Sequence, residues 1–347
     1  VICPVDKRTL LLPWGWERTI WLERAKRAAF GKACTICKCV YLNAGGLEQC
    51  RADGSALIKP VLDMDDAPVF DEQYQAISFY ESDEVLDVYL AQDLDTNQIV
   101  FVKVMNSRMR GDERTANHFL EIGRRALGLK HPNIVAVRLV EMFYPHNAPY
   151  MVTDYVIARS IKQEMEFRKR FDAKSATGII IDVLNALQYA HEKDIVHAAL
   201  SKSNIFVTGS DGHSCIGLLD NFGVAERLFR ELDWNKPSTE TRTANIYGSP
   251  DGMCPEFCLG QRPSKLSDIY QIGCVMYEML TGRPPFINDS VTMTLIAHME
   301  QEPESLQDYC EASEDLQNIV LRCLKKDPAE RFSSAKELSS ELTKFRT

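Results

Sequence analysis

Residues 197–205, His-Ala-Ala-Leu-Ser-Lys-Ser-Asn-Ile, constrain the chain more than any other stretch. They follow a helical run ending Ala190-His191-Glu192 and an apolar pair, Ile195-Val196, and they precede the turn quartet Asp220-Asn221-Phe222-Gly223. Shorter signatures follow in order: Pro255-Glu256, then Ser267-Asp268-Ile269-Tyr270 running on to Gly273, then Gly282-Arg283-Pro284-Pro285-Phe286, then Lys326-Asp327-Pro328 leading to Arg331-Phe332. Each is weak alone. In this order and at these spacings they specify one frame.

That frame resembles the protein kinase family, in its bacterial Ser/Thr form, over roughly residues 75–345. The resemblance implies an α+β, bilobal fold: a small β-rich lobe at 75–152 and a large helical lobe at 156–345, within a domain spanning 75–347. It also implies an ion pair between Glu256 and Arg331 across the large lobe. The catalytic loop of the family reads H-R-D-L-x-x-x-N. Here Ala198 stands at the Arg position, Ala199 at the Asp that accepts the substrate proton, and Ser201 at the following Lys. Only His197 and Asn204 remain. In the D-F-G turn, Asn221 replaces the metal-binding Asp, and a neutral amide oxygen is a weaker ligand for a hard cation than a carboxylate. Phosphoryl transfer depends on positioned charge and metal, so these changes remove most of what such a site supplies.

The nucleotide side is altered as well. Counting back from Val88, the three positions of the phosphate-covering glycine loop hold Glu81, Asp83 and Leu86. Glycines let backbone amides approach phosphate closely, and bulk with negative charge does the reverse. Ile99-Val100-Phe101-Val102-Lys103 matches the V-A-I-K strand and puts Lys103 at the phosphate-contacting position. The stretch Leu129-Lys130-His131-Pro132-Asn133 then sets Ile122 where the partner Glu belongs, with Glu121 about 100° away around the helix. The resemblance makes Thr153 the gatekeeper and Asp154-Tyr155-Val156 the hinge where adenine edges would bond. A small gatekeeper leaves the adenine end open. Lys103, Thr153, Tyr155 and Asn204 together make a vestigial nucleotide site, with ATP and magnesium poorly served.

The expected function is a pseudokinase that works through other signalling proteins as scaffold or allosteric partner. The alternatives are a divergent low-activity Ser/Thr kinase using Lys103 with displaced acids such as Asp220, and a switch that binds ATP without turnover.

The first fifty residues hold five of the eleven cysteines. Cys34 and Cys37, then Cys50 and Asp53, form two knuckles at zinc-ribbon spacing, with a carboxylate as an acceptable fourth ligand. One structural zinc is expected there. Cys39 is a spare thiol or a substitute for Cys37. Cys3 to Leu10 repeats the frame of Cys50 to Leu57, which leaves open whether Cys3 and Asp6 belong to a second ribbon. The run from Trp14 to Phe30 reads as a linker helix packing its tryptophans on a neighbouring domain, the alternative being a helix on a membrane surface. Residues 1–58 thus form the ribbon-like region with its helix, and the Pro-containing, acidic stretch 59–74 a linker.

A net charge of −9 argues against nucleic acid or an anionic membrane as a general partner. No run of the segment has the length and apolarity of a membrane span, and no signal-peptide pattern opens it. The six scattered cysteines read as buried thiols of a reducing compartment, hence a cytoplasmic expectation.

Overall fold

The computed structural model describes residues 32–34, 40–41, 57–58, 69–82, 86–105, 113–143, 148–208, 215–222 and 250–345. Three short strands come first: β1 (Lys32–Cys34), β2 (Val40–Tyr41) and β3 (Leu57–Ile58), with β1 pairing antiparallel to both of the others. The larger sheet follows. It contains β4 (Val69–Phe70), β5 (Tyr74–Ser82), β6 (Leu86–Asp93) and β7 (Ile99–Met105), then β8 (Val137–Phe143) and β9 (Ala148–Asp154) beyond helix α1 (Glu113–Ala126). Its strand order is β4-β5-β6-β7-β9-β8, antiparallel throughout.

Alternation along these strands sorts the side chains between two faces. Val100, Val102 and Val104 of β7 join Phe70, Ala91, Tyr150 and Val152 in a buried apolar cluster on one face. Phe101 and Lys103 therefore occupy the other. Phe70, 2% exposed, packs its ring against Phe143 and Tyr150. The expected linker at 59–74 thus ends early, because the sheet already begins at Val69.

The helical lobe is built on α3 (Ala173–His191) and α5 (Lys265–Thr281). Asp172 caps α3, its carboxylate accepting from the Ser175 amide at 2.8 Å. A capping box of Ser264 and Ser267 starts α5, and Gly282 ends it in the left-handed conformation at φ 82°. Every residue of α5 from Ser267 to Leu280 is buried, which marks it as the axis of the lobe. At Gly273 a Cβ would lie 2.6 Å from Cβ of Cys323 in α7 (Glu314–Cys323), so glycine is what lets these helices approach. The short strands β10 (Arg159–Ser160), β11 (Ile205–Thr208) and β12 (Ile216–Leu219) form a third antiparallel sheet. The lobe also contains α2 (Ile161–Arg168), α4 (Pro255–Cys258), α6 (Val291–Glu300) and α8 (Ala335–Leu342).

Residues 117–136 group with this helical unit, whereas the sequence boundaries place them in the small lobe. Hydrogen bonding explains the difference. The Val135 amide donates to the Leu219 carbonyl at 2.9 Å, the Asn133 side chain donates to the Gly217 carbonyl at 2.9 Å, and Arg125 donates to the Asp194 carbonyl at 2.6 Å.

Candidate functional site: the loop at 197–204 and the strand face of Lys103

Asp268, fully buried in the first turn of α5, holds the loop in shape. Its carboxylate accepts from the amides of His197 at 2.9 Å and Ala198 at 2.8 Å, and it bonds Nε2 of His191 at 2.8 Å. Three residues further along the helix, Gln271 accepts from the Leu200 amide at 3.0 Å and donates to the Ala198 carbonyl at 3.3 Å. These bonds hold Ala198 at φ 67°, a left-handed conformation that costs an L-residue roughly 1–2 kcal/mol. His197 is buried, and desolvation pushes its imidazole below its ordinary range, so the ring is neutral. Nε2 meets the Asp220 carbonyl at 2.8 Å and Nδ1 meets the Ala199 amide at 3.3 Å, which puts the ring proton on Nε2. The Phe222 ring packs on His197 at 4.9 Å between centroids. The backbone of a catalytic loop is therefore built and secured.

Its side chains are another matter. At the base position Ala199 offers only a methyl group, which cannot take a proton. Asn204 donates from Nδ2 to the Ala199 carbonyl at 2.7 Å, and its Oδ1 accepts from Nδ2 of Asn221 at 3.0 Å. The two residues at the family's metal-ligand positions, expected to serve magnesium poorly, are thus bonded to each other. Asn221 sits at φ 62°, a conformation asparagine tolerates better than most residues. The Asp220 carboxylate, the displaced acid of the rival kinase reading, accepts from the Asn221 amide at 2.7 Å. Lys202, one residue after the lost lysine position, pairs with Glu278.

On the sheet, Lys103 is 3% exposed and lies opposite Val88 and Met151. Thr153 lies opposite Phe101, is fully buried, and its hydroxyl finds no hydrogen-bond partner among the described residues. On the same strand face, rings of the chain itself pack together. Tyr80 and Tyr155 both set their edges on Phe101, at 4.8 and 5.2 Å between centroids. Leu86 begins β6 with its side chain 1% exposed, and Glu81 lies in β5 opposite Val88. On α1 Ile122 is buried while Glu121 is on the exposed side. Asp83, Cys37, Cys50 and Asp53 lie outside the described residues, and of Cys34 only the place in β1 is described.

The scaffold pair is formed. Arg331 makes two bonds to the Glu256 carboxylate, at 2.8 and 2.9 Å, and Ser267 adds a third at 3.0 Å. Burial alone would raise the Glu256 carboxyl; the guanidinium of Arg331 outweighs it and holds the group below its ordinary range.

Three residues matter here that the motifs alone do not single out. Asp268 is legible as part of a helix signature but not as the clamp on the loop. Phe101 is visible in the V-A-I-K strand as a large ring at the alanine. For Lys202, nothing in the sequence signals its pairing with Glu278.

A β lobe with a buried lysine, and a helical lobe with a clamped His-x-x loop beside an Asn-Phe turn, define the protein kinase architecture. The chain belongs to the family described as "Protein kinase domain", whose profile matches residues 84–342. It is 30% identical over 272 residues to the serine/threonine-protein kinase PknB of Mycolicibacterium smegmatis, covering 76% of this chain and 42% of that protein. Identity to PknB of Mycobacterium tuberculosis is also 30%, over 274 residues and with the same coverage. The chain thus spans about two fifths of the length of these curated relatives, 42% in each case. Among solved structures, the PknI kinase domain of Mycobacterium tuberculosis superposes with a TM-score of 0.64 at 22% identity, over 82% of this chain and all of that one, which bears on the fold. Among the described residues no helix is long and apolar enough to cross a membrane.

Proposed function

We propose that this kinase domain does not transfer phosphate and acts instead as a scaffold or allosteric partner of other signalling proteins. The observation that carries the reading is the hydrogen bond from Asn221 to Asn204, beside Ala199. With Asp at 221, two oxygens would face each other and call for a cation between them. With Asn, one amide donates to the other and the loop closes without metal. A general base is missing at the same place, while the clamp by Asp268 keeps the loop's shape. Retained shape with discarded chemistry fits a surface read by partners. The buried thiols of Cys254, Cys274 and Cys323 fit a reducing, cytoplasmic setting.

A second reading, an ATP-binding switch without turnover, draws on the buried Thr153 hydroxyl that lacks a partner among the described residues, a state costing about 1–3 kcal/mol unless a ligand satisfies it. Thermal melts with ATP, with and without magnesium, separate these readings. The expected result is no stabilisation that depends on magnesium. A magnesium-dependent rise in melting temperature sinks the proposal, and a magnesium-independent one favours the switch.

The N-terminal region carries its own proposal, a structural zinc held by Cys34, Cys37, Cys50 and Asp53. Its support is the knuckle spacing in the sequence together with the short antiparallel strands β1, β2 and β3. Elemental analysis of protein purified without chelator should find about one zinc per chain. A metal-free preparation with the four ligands intact contradicts it.

A further inference from the structure

We infer that the adenine end of this domain is filled by the chain's own aromatic side chains, a plug centred on Phe101. The inference deepens the proposed loss of catalysis and rests on that reading for its biological sense. Its geometry lies wholly within the sheet lobe. Strand β7 pairs with β6 and β9 without a register shift, so Phe101 and Lys103 point to the same face, opposite the apolar cluster that takes Val100, Val102 and Val104. Two residues along a strand are roughly 7 Å apart. A nucleotide with its phosphates at Lys103 and its base at Asp154 to Val156 must therefore cross Phe101. That crossing point is taken. Phe101 is 8% exposed, Tyr80 meets it from β5 and Tyr155 from the hinge, each ring edge-on to it.

Edge-to-face packing of this kind is the favoured geometry for aromatic pairs. The trio thus supplies from within the fold the apolar and π contacts that a purine would otherwise supply. Beneath it lies Thr153, cross-strand from Phe101 and fully buried, so no ligand reaches its hydroxyl while the rings stay in place. Steric filling is independent of the acidic loop residues Glu81 and Asp83 and of the lost metal ligand. It acts on a neutral nucleoside as strongly as on ATP.

Adenosine, which carries no phosphate, isolates the plug from charge, metal and the catalytic loop. Calorimetric titration of adenosine into the whole chain should give no saturable binding to the wild type. Phe101→Ala should bind saturably, at least about tenfold tighter than the weakest binding the titration detects, the scale on which one aromatic ring's burial is felt. Phe101→Leu keeps an apolar side chain on the strand and provides a folded comparator if the alanine variant melts early; it should bind with intermediate strength. Saturable adenosine binding by the wild type, as tight as by either variant, overturns the plug. So does a lack of binding by both variants when either retains a cooperative melt. Adenosine binding by the wild type without any phosphate transfer overturns the plug alone and leaves the non-catalytic reading standing.

Discussion

Replacing Arg331 by alanine should lower the stability of the helical lobe by about 3–5 kcal/mol, the cost of leaving one member of a buried ion pair behind. Arg331 is 2% exposed and Glu256 6%, and both terminal guanidinium nitrogens bond the carboxylate. Arg331 also donates to the carbonyls of Leu266, Lys325 and Lys326, at 2.9, 2.8 and 3.1 Å. Its loss therefore unties the start of α5 and the turn before the last helix at once. The effect depends on pH, and the sign follows from the carboxyl. With Arg331 present, Glu256 is held below its ordinary value of 4.5, so the pair's contribution is full above that value and is lost as pH falls through the lower folded value. Without Arg331, burial raises the same carboxyl, and acid relieves the penalty by protonating it. The gap between wild type and variant should be widest near neutral pH and should narrow in acid. Denaturant unfolding at several pH values measures both. An unchanged midpoint at neutral pH means the pair contributes nothing to the lobe.

The Glu256–Arg331 pair is legible in the sequence because its two residues stand in fixed signatures, Pro255-Glu256 and Lys326 to Arg331. The helical frame and strand β7 are legible for the same reason. Other features depend on three-dimensional register. Strand β4 has only two residues, too few to show a period, so Val69 and Phe70 look like the end of a linker. The stretch 117–136 lies between sheet strands in the chain, and bonds such as those to Asp194, Gly217 and Leu219 attach it to the helical unit. Asn204 and Asn221 read as two poor metal ligands. That one donates to the other requires the turn at Asp220 to bring them together. The ring cluster needs β5, β7 and the hinge side by side, so a small gatekeeper at Thr153 gives no sign that Tyr80 and Tyr155 pack on Phe101.

The second large effect concerns phosphate transfer. General acid–base help is worth roughly 10²–10⁴-fold, and metal charge stabilisation adds several kcal/mol. Ala199 removes the first, and the Asn221–Asn204 bond stands where the second would act. Restoring both acids, Ala199→Asp with Asn221→Asp, should still give no turnover, because Phe101 continues to occupy the strand face between Lys103 and the hinge. The most direct measurement is transfer of radiolabelled phosphate from ATP, to the protein itself and to generic protein substrates, with magnesium and with manganese. The Lys103→Ala variant serves as the control. The expected result is incorporation at background and equal in both proteins. Incorporation by the wild type that Lys103→Ala abolishes would contradict a kinase domain without catalysis.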